Sequence, residues 1–325
     1  MSQEFEFEKP IIELEKRLSD LRSLSEEGNI DLSREISAIA EKIEAMKSDI
    51  FHSLEPWQVA QVARHLDRPS TLDYVKLLCG DSFVELKGDR LFADDPAMIC
   101  GFGRFGSIAT AIIGHQKGHD TEENIYRNFG MPHPEGYRKS RRVMHLAEKF
   151  RKPIIVFIDT PGAFPGIGAE ERGQSEAIAR SIMEMSRMRV PILCFIIGEG
   201  GSGGALAVGI GDRVYMLEHA IYSVISAEGC AAILWKDGAK ARDAAAALKF
   251  RSTDLLEAGI IDAILPEPLG GAHRNAEFVA NAIGDIIQKE LPSLMALPAD
   301  LLLKKRYEKF RAMGKFKLEQ DSEHA

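Results

Sequence analysis

The chain has 325 residues, 45% apolar and 28% charged, globular values that leave enough apolar material for a sizeable core. Its net charge of -8 argues against a dedicated nucleic-acid binder, whose domain is usually basic. The longest apolar runs, residues 154–158 and 192–197, are far too short to span a bilayer.

The acidic start, residues 1–10, has neither the apolar stretch of a signal peptide nor the Arg-rich pattern of a transit peptide. Cys79, Cys100, Cys194 and Cys230 contain no CxxC pair and fit neither a zinc ribbon nor a disulfide scaffold. Reduced thiols and a cytoplasmic location are expected.

Residues 10–54 read as two helices. Ile11, Leu14, Leu18 and Leu21 step by three and four; after a break at Gly28-Asn29, Leu32, Ile36, Ile39, Ile43, Met46 and Ile50 do the same. Such stripes predict an antiparallel hairpin that either packs on its own domain or grips a partner chain. The stretch holding Pro56 and Pro69 reads as a connection. Residues 98–105 and 107–114 predict two strands around Gly106, and 136–150 a basic helix. Residues 153–159 form a continuous apolar run, as a strand covered on both faces does. A helix over 169–189, a buried strand over 191–197 and a small-residue helix over 205–210 follow. Strands over 213–217, 221–225 and 260–265 alternate with helices near 228–236, 239–249 and 252–258, and residues 272–290 and 296–313 read as helical. The alternation predicts an α/β fold with parallel strands.

Two glycine-rich loops carry the chemistry. Gly198-Glu199-Gly200-Gly201-Ser202-Gly203-Gly204-Ala205 lies between a buried strand and a helix, where bare backbone can approach a ligand and offer free amides to an anion or an oxyanion. Asp159-Thr160-Pro161-Gly162-Ala163-Phe164-Pro165-Gly166 leaves the C-terminal end of the neighbouring buried strand, where α/β sheets place ligands. Together they predict an oxyanion hole made without side chains. Amides of Gly204 and Ala205 would face donors from Gly162 and Ala163 or Phe164, while Gly200, Gly201, Ser202 and Gly203 line the substrate.

Competing motifs fall short. Gly198-x-Gly200-x-x-Gly203 fits the dinucleotide pattern but does not open the first βαβ unit, and Gly101-x-Gly103-x-x-Gly106 repeats it inside a hairpin. Gly200-x-Ser202-x-Gly204 fits a nucleophile elbow, with Asp254 or Asp262 and then His273 in hydrolase order, though no spacing ties His273 to Ser202. Asp159-Thr160-Pro161-Gly162 resembles a GTPase switch, but no Walker A accompanies it. His115 and His119 read as polar loop surface. Arg138, Lys139 and Arg142 read as either a solvated face or an electrostatic seat for a phosphate or a carboxylate.

The two loops, the run Gly168-Ala169-Glu170-Glu171-Arg172-Gly173-Gln174 between them, Leu86-Lys87-Gly88-Asp89-Arg90, and the stretch from Asn128 to Lys139 resemble the acetyl-CoA carboxylase carboxyltransferase alpha-subunit family along nearly the whole chain. The resemblance implies a crotonase-like α/β spiral of ββα units over residues 56–290, a helical hairpin arm at 1–55 and a helical tail at 291–325. It implies transfer of a carboxyl group from carboxybiotin to acetyl-CoA, giving malonyl-CoA, with propionyl-CoA as an alternative acyl group. It further implies a beta-subunit partner in an α2β2 assembly, a biotin carboxyl carrier protein and a separate biotin carboxylase. Any zinc would belong to the beta subunit, and this chain would hold no metal. A serine hydrolase using Ser202 and a non-catalytic scaffold of the same fold are the alternatives.

Overall fold

The computed structural model describes residues 5–28 and 31–314. The arm consists of α1 (Lys9–Gly28) and α2 (Ser33–His52), tied across by Lys47 and Glu15 at 2.8 Å. Its predicted break ends at Asn29, outside the described residues. Phe5, Ile11, Ile43 and Phe51 pack at the arm's base into an apolar cluster with residues of the same chain, including Val59, Ala63 and Ala244. Leu24, at the other end of α1, is exposed.

Two helices stand where a plain connection was expected, α3 (Pro56–Ala63) and α4 (Thr71–Cys79). Both are too short to display a period of 3.6, yet each starts on a local cap. The Glu55 N–H donates to Gln58 Oε1 at 2.7 Å, and the Ser70 N–H to Asp73 Oδ2 at 2.7 Å. Next come β1 (Val84–Glu85), β2 (Met98–Phe105) and β3 (Ile108–His115), the last two forming the predicted hairpin about Gly106 at φ +58°. The chain continues through α5 (Thr121–Tyr126), α6 (Pro134–Lys149), β4 (Ile154–Thr160), α7 (Ile167–Glu171), α8 (Gln174–Arg187) and β5 (Ile192–Gly201). It then forms α9 (Ser202–Leu206), β6 (Arg213–Leu217), β7 (Ile221–Ser223), α10 (Ala227–Trp235), α11 (Ala241–Leu248) and α12 (Ser252–Glu257). Strand β8 (Ala263–Leu265), α13 (Ala276–Met295) and α14 (Ala299–Arg311) complete it.

One sheet runs in the order β1-β2-β3-β4-β5-β6-β8, with β7 beside the end of β5. Pairing is antiparallel up to β3 and parallel beyond it. Strand β4 is buried throughout, and β5 at every position but Gly201, which explains their unbroken apolar sequences.

Some boundaries differ from expectation for local reasons. The helix expected over 169–189 is two, because Gly173 sits at φ +82°, a left-handed conformation a helix cannot carry. The strand expected from residue 260 begins at Ala263, because the Ile260 N–H closes α12 on the Leu255 carbonyl at 2.9 Å. Strand β7 stops at Ser223, whose hydroxyl donates to the Ile225 carbonyl at 2.8 Å.

At the N-terminal end of β5, Arg306 of α14 is 1% exposed. It donates to Asp212 through Nε at 2.9 Å and Nη2 at 2.7 Å, and to the carbonyls of Met185, Met188 and Val190. Asp212 in turn accepts the Ile192 N–H at 2.8 Å.

Candidate active site

Parallel neighbours β4 and β5 bring the two glycine loops out of the same sheet end, side by side. Pairing steps from Ile158 opposite Ile196 to Thr160 opposite Gly200, two residues on β4 against four on β5. This irregularity bends β5 where its glycine loop begins. From there the loops touch backbone to backbone. A Cβ on Gly201 would lie 2.2 Å from the Pro161 carbonyl oxygen, and one on Gly204 2.5 Å from the Gly162 carbonyl carbon and 2.7 Å from the Ala163 nitrogen. The glycines are therefore required by close approach. Two residues of the loops have positive φ, Ser202 at +50° and Gly162 at +154°.

The helix after the second loop starts at Ser202, three residues before the expected position. Gly203 and Gly204 thus supply first-turn amides without an i→i−4 acceptor. The Ala163 N–H is free of a protein acceptor among the described residues, and it adjoins Gly204. Three other predicted donors are placed differently. The Phe164 N–H donates to the Pro132 carbonyl at 3.0 Å while its ring stacks on His133 at 4.2 Å. The Gly162 N–H donates to Thr160 Oγ1 at 3.1 Å. Ala205 is fully buried, and regular i→i−4 geometry directs its amide to the Gly201 carbonyl. Gly200 and Gly201 pack inward at the end of β5, whereas Ser202 and Gly203 line a largely apolar cavity of about 680 Å³ that also meets Leu206, Tyr222, Val224 and Phe310.

The hydrolase constellation does not assemble. Ser202 Oγ bonds to no histidine among the described residues. His273 stacks on His65 with ring centroids 3.9 Å apart, and burial, with His65 beside it, pushes its pKa down to about 3. Asp254 pairs with Arg251, and Asp262 with Lys309.

The basic helix, read as either a solvated face or a ligand seat, turns three of its cations onto the chain itself. Lys139 is fully buried, its ammonium on Asp94 at 2.6 Å and on the Asp95 carbonyl at 2.8 Å. Arg138 reaches Asp89 at 2.8 Å and Glu135 at 2.7 Å, and Arg142 donates to the carbonyls of Gly88 and Lys87. All three side chains brace residues 87–95 against α6.

His115, expected on the surface, is fully buried at the end of β3. It lies against the carbonyls of Gly204 and Phe157 without a well-formed hydrogen bond, and burial pushes its pKa down to about 3, so it is neutral there. His119 faces Asp73 at 2.8 Å instead. No group of metal-binding side chains occurs among the described residues.

A charge network passed over in the sequence lies directly behind the loops. Lys117 Nζ bonds Asp159 Oδ1 at 2.8 Å and Glu199 Oε2 at 2.7 Å, and Arg64 Nε donates to Glu199 Oε1 at 2.6 Å. Burial works against charge on both Lys117 and Glu199, but their mutual attraction, with Asp159 and Arg64, outweighs it. The lysine pKa is raised and that of Glu199 lowered.

Solved structures share the fold of this sheet and its flanking helices. A Pseudomonas malonate decarboxylase hetero-tetramer chain in complex with coenzyme A superposes with a TM-score of 0.58 at 17% identity, covering 73% of this chain and 92% of that one. A transcarboxylase 12S chain gives 0.56 at 16%, covering 72% of this chain but only 45% of the longer partner in the comparison. Residues 4–314 match the family model described as acetyl co-enzyme A carboxylase carboxyltransferase-like. Relatives named acetyl-coenzyme A carboxylase carboxyl transferase subunit alpha are 54% identical in Halalkalibacterium halodurans, over 97% of both chains, and 55% identical in Syntrophotalea carbinolica, over 95% of this chain and 97% of that one. The chain belongs to the acetyl-CoA carboxylase carboxyltransferase alpha-subunit family. No described helix is long and apolar enough to cross a membrane.

Proposed function

We propose that this chain is the half of a two-subunit carboxyltransferase that receives carboxybiotin, and that its backbone amides at Gly204 and Ala163 bind the ureido oxygen of biotin. The observation that carries this assignment is the backbone contact between the two loops, which sets the free Ala163 amide beside the first-turn amide of Gly204, one residue from the Gly203 edge of an apolar cavity. Loss of CO2 from carboxybiotin leaves charge on the ureido oxygen, and the resulting base takes a proton from the acetyl methyl group of acetyl-CoA. The enolate then attacks CO2 and gives malonyl-CoA. Such chemistry needs preorganised donors and a dry pocket and no side-chain nucleophile. A beta subunit, which would carry any zinc, completes the site in an α2β2 assembly and stabilises the thioester oxygen. A biotin carboxyl carrier protein delivers the biotin, which a separate biotin carboxylase charges in the cytoplasm. Residues 56–290 form the catalytic domain, 1–55 the arm and 291–325 the tail.

Malonyl-CoA-dependent carboxylation of free biocytin tests this assignment with the chain alone and with a purified beta subunit. Activity only in the mixture is expected. A stable but inactive complex would favour a scaffold, and labelling of Ser202 by a fluorophosphonate would restore the hydrolase.

A further inference from the structure

We propose that Lys117 is a positioning residue for carboxyl transfer, its ammonium fixing the distance between the two glycine loops by bonding the strand-end acids Asp159 and Glu199. The proposal rests on the assignment of the loop amides as oxyanion donors. Asp159 directly precedes Thr160 on β4, and Glu199 directly precedes Gly200 on β5. Between them the regular ladder lapses, since pairing jumps from Ile158–Ile196 to Thr160–Gly200. A bulge releases strand ends from their usual register, so something else must hold the loops in line.

Side chains take over at this step. Asp159 Oδ1 accepts the Glu199 N–H at 2.8 Å, and Lys117 Nζ reaches that same oxygen at 2.8 Å and Glu199 Oε2 at 2.7 Å. The second Glu199 oxygen takes Arg64 Nε, and Arg64 continues to Glu228 on α10 at 2.6 Å. Asp159 and Glu199 are 5% and 7% exposed, so these charge-assisted bonds act largely out of water, where they are strongest. The lysine is itself confined, because a Cβ on Gly130 would meet its Cγ at 2.8 Å. None of these groups lies on the amides that face the ligand; they act on the loops from behind.

The test uses the full chain reconstituted with its beta subunit. Lys117→Met leaves enclosed Asp159 without its cation and Glu199 with Arg64 alone, so it lowers both thermal stability and kcat. A donor displaced by about 1 Å costs on the order of 100-fold, and a loss of about 10- to 100-fold in kcat with KM for the acyl-CoA unchanged is expected. The double variant Lys117→Met, Asp159→Asn removes the uncompensated charge while keeping the Glu199–Arg64 pair and an acceptor for the Glu199 N–H. Its melting temperature recovers while kcat stays low, which a purely structural lysine would not produce. Recovery of kcat together with stability, or full kcat in the single variant, would overturn the clamp. Gly204→Ala in parallel separates the two ideas. If it keeps wild-type kcat, the amide site itself is wrong; if it loses kcat while the Lys117 variants do not, only the clamp is.

Discussion

The two ends of β5 solve opposite problems. At its N-terminal end, Arg306 and Asp212 fill the space with charged side chains, and every guanidinium nitrogen has an acceptor. At its C-terminal end, side chains are absent from the contact, and the Gly201 and Gly204 backbones lie directly on residues 161–163 with the free Ala163 amide beside them. One end is closed and satisfied; the other is close-packed yet left with donors to offer. Stability and chemistry are thereby placed at opposite ends of the same strand, and substitutions at each should separate them.

The largest effect is expected from Arg306→Met. It leaves Asp212 buried without its cation, at a cost of about 3–5 kcal/mol in unfolding free energy by thermal or denaturant melts. The fraction that remains folded should retain its kcat, and a fall in kcat per folded molecule would blur the division. Gly201→Ala forces the two loops apart, since its Cβ would sit 2.2 Å from the Pro161 carbonyl oxygen. A loss on the order of 100-fold in kcat is expected from that displacement, with overpacking of about 1–3 kcal/mol.

Lys139→Met sharpens the comparison from a third position. Loss of its buried bonds to Asp94 and Asp95 should cost about 1–3 kcal/mol of stability. KM for acyl-CoA and for carboxybiotin should be unchanged, because the ammonium faces residues 94 and 95 and no ligand; a raised KM for either would return this lysine to the binding surface.

The smallest effect is at His119. Its hydrogen bond to Asp73 raises its pKa from 6.5 to about 9; burial would raise the Asp73 pKa, but hydrogen bonds from His119 and Ser70 outweigh it and lower it to about 2. A raised histidine pKa stabilises fully below 6.5 and ceases to do so as pH climbs through 9; the lowered Asp73 contributes above 3.8 and is lost towards 2. Both side chains are about two-fifths exposed, so screening limits the pair to about 0.2–1 kcal/mol. The stability difference between wild type and His119→Ala should be largest between pH 4 and 6.5 and vanish above pH 9. A difference that grew with alkaline pH would contradict the pairing.

The parts of this account that sequence could supply are those written in a local pattern. Strands β4 and β5 are covered on both faces and so appear as unbroken apolar runs, and a loop as rich in glycine as 198–204 announces close backbone approach. Lys117 announces nothing: it sits in an irregular loop, and its Glu199 partner is 82 residues away. A hint was nevertheless present in the acids Asp159 and Glu199 at the ends of buried strands, where a counter-charge is needed. His115 was misplaced although it falls two residues after Ile113 on an alternating strand, the same face as a core position. For Arg138, Lys139 and Arg142 the sequence leaves a solvated face and a ligand seat both open, because a run of charge does not reveal that carboxylate and carbonyl partners lie in residues 87–95. Of the five amides expected in the oxyanion hole, two could be discounted only once Pro132 and Thr160 were seen to accept them.

The most direct test of the central claim, that backbone and not a side chain carries the chemistry, is kcat for malonyl-CoA formation by Gly204→Ala and Ser202→Ala enzymes, each reconstituted with the beta subunit. Loss of a single oxyanion donor costs on the order of 100- to 1,000-fold, and a Cβ on Gly204 would press into the Gly162–Ala163 backbone at 2.5 Å. A loss of that size in Gly204→Ala beside near-wild-type turnover in Ser202→Ala is the predicted result. Normal turnover in Gly204→Ala, or an inactive but folded Ser202→Ala, would contradict it.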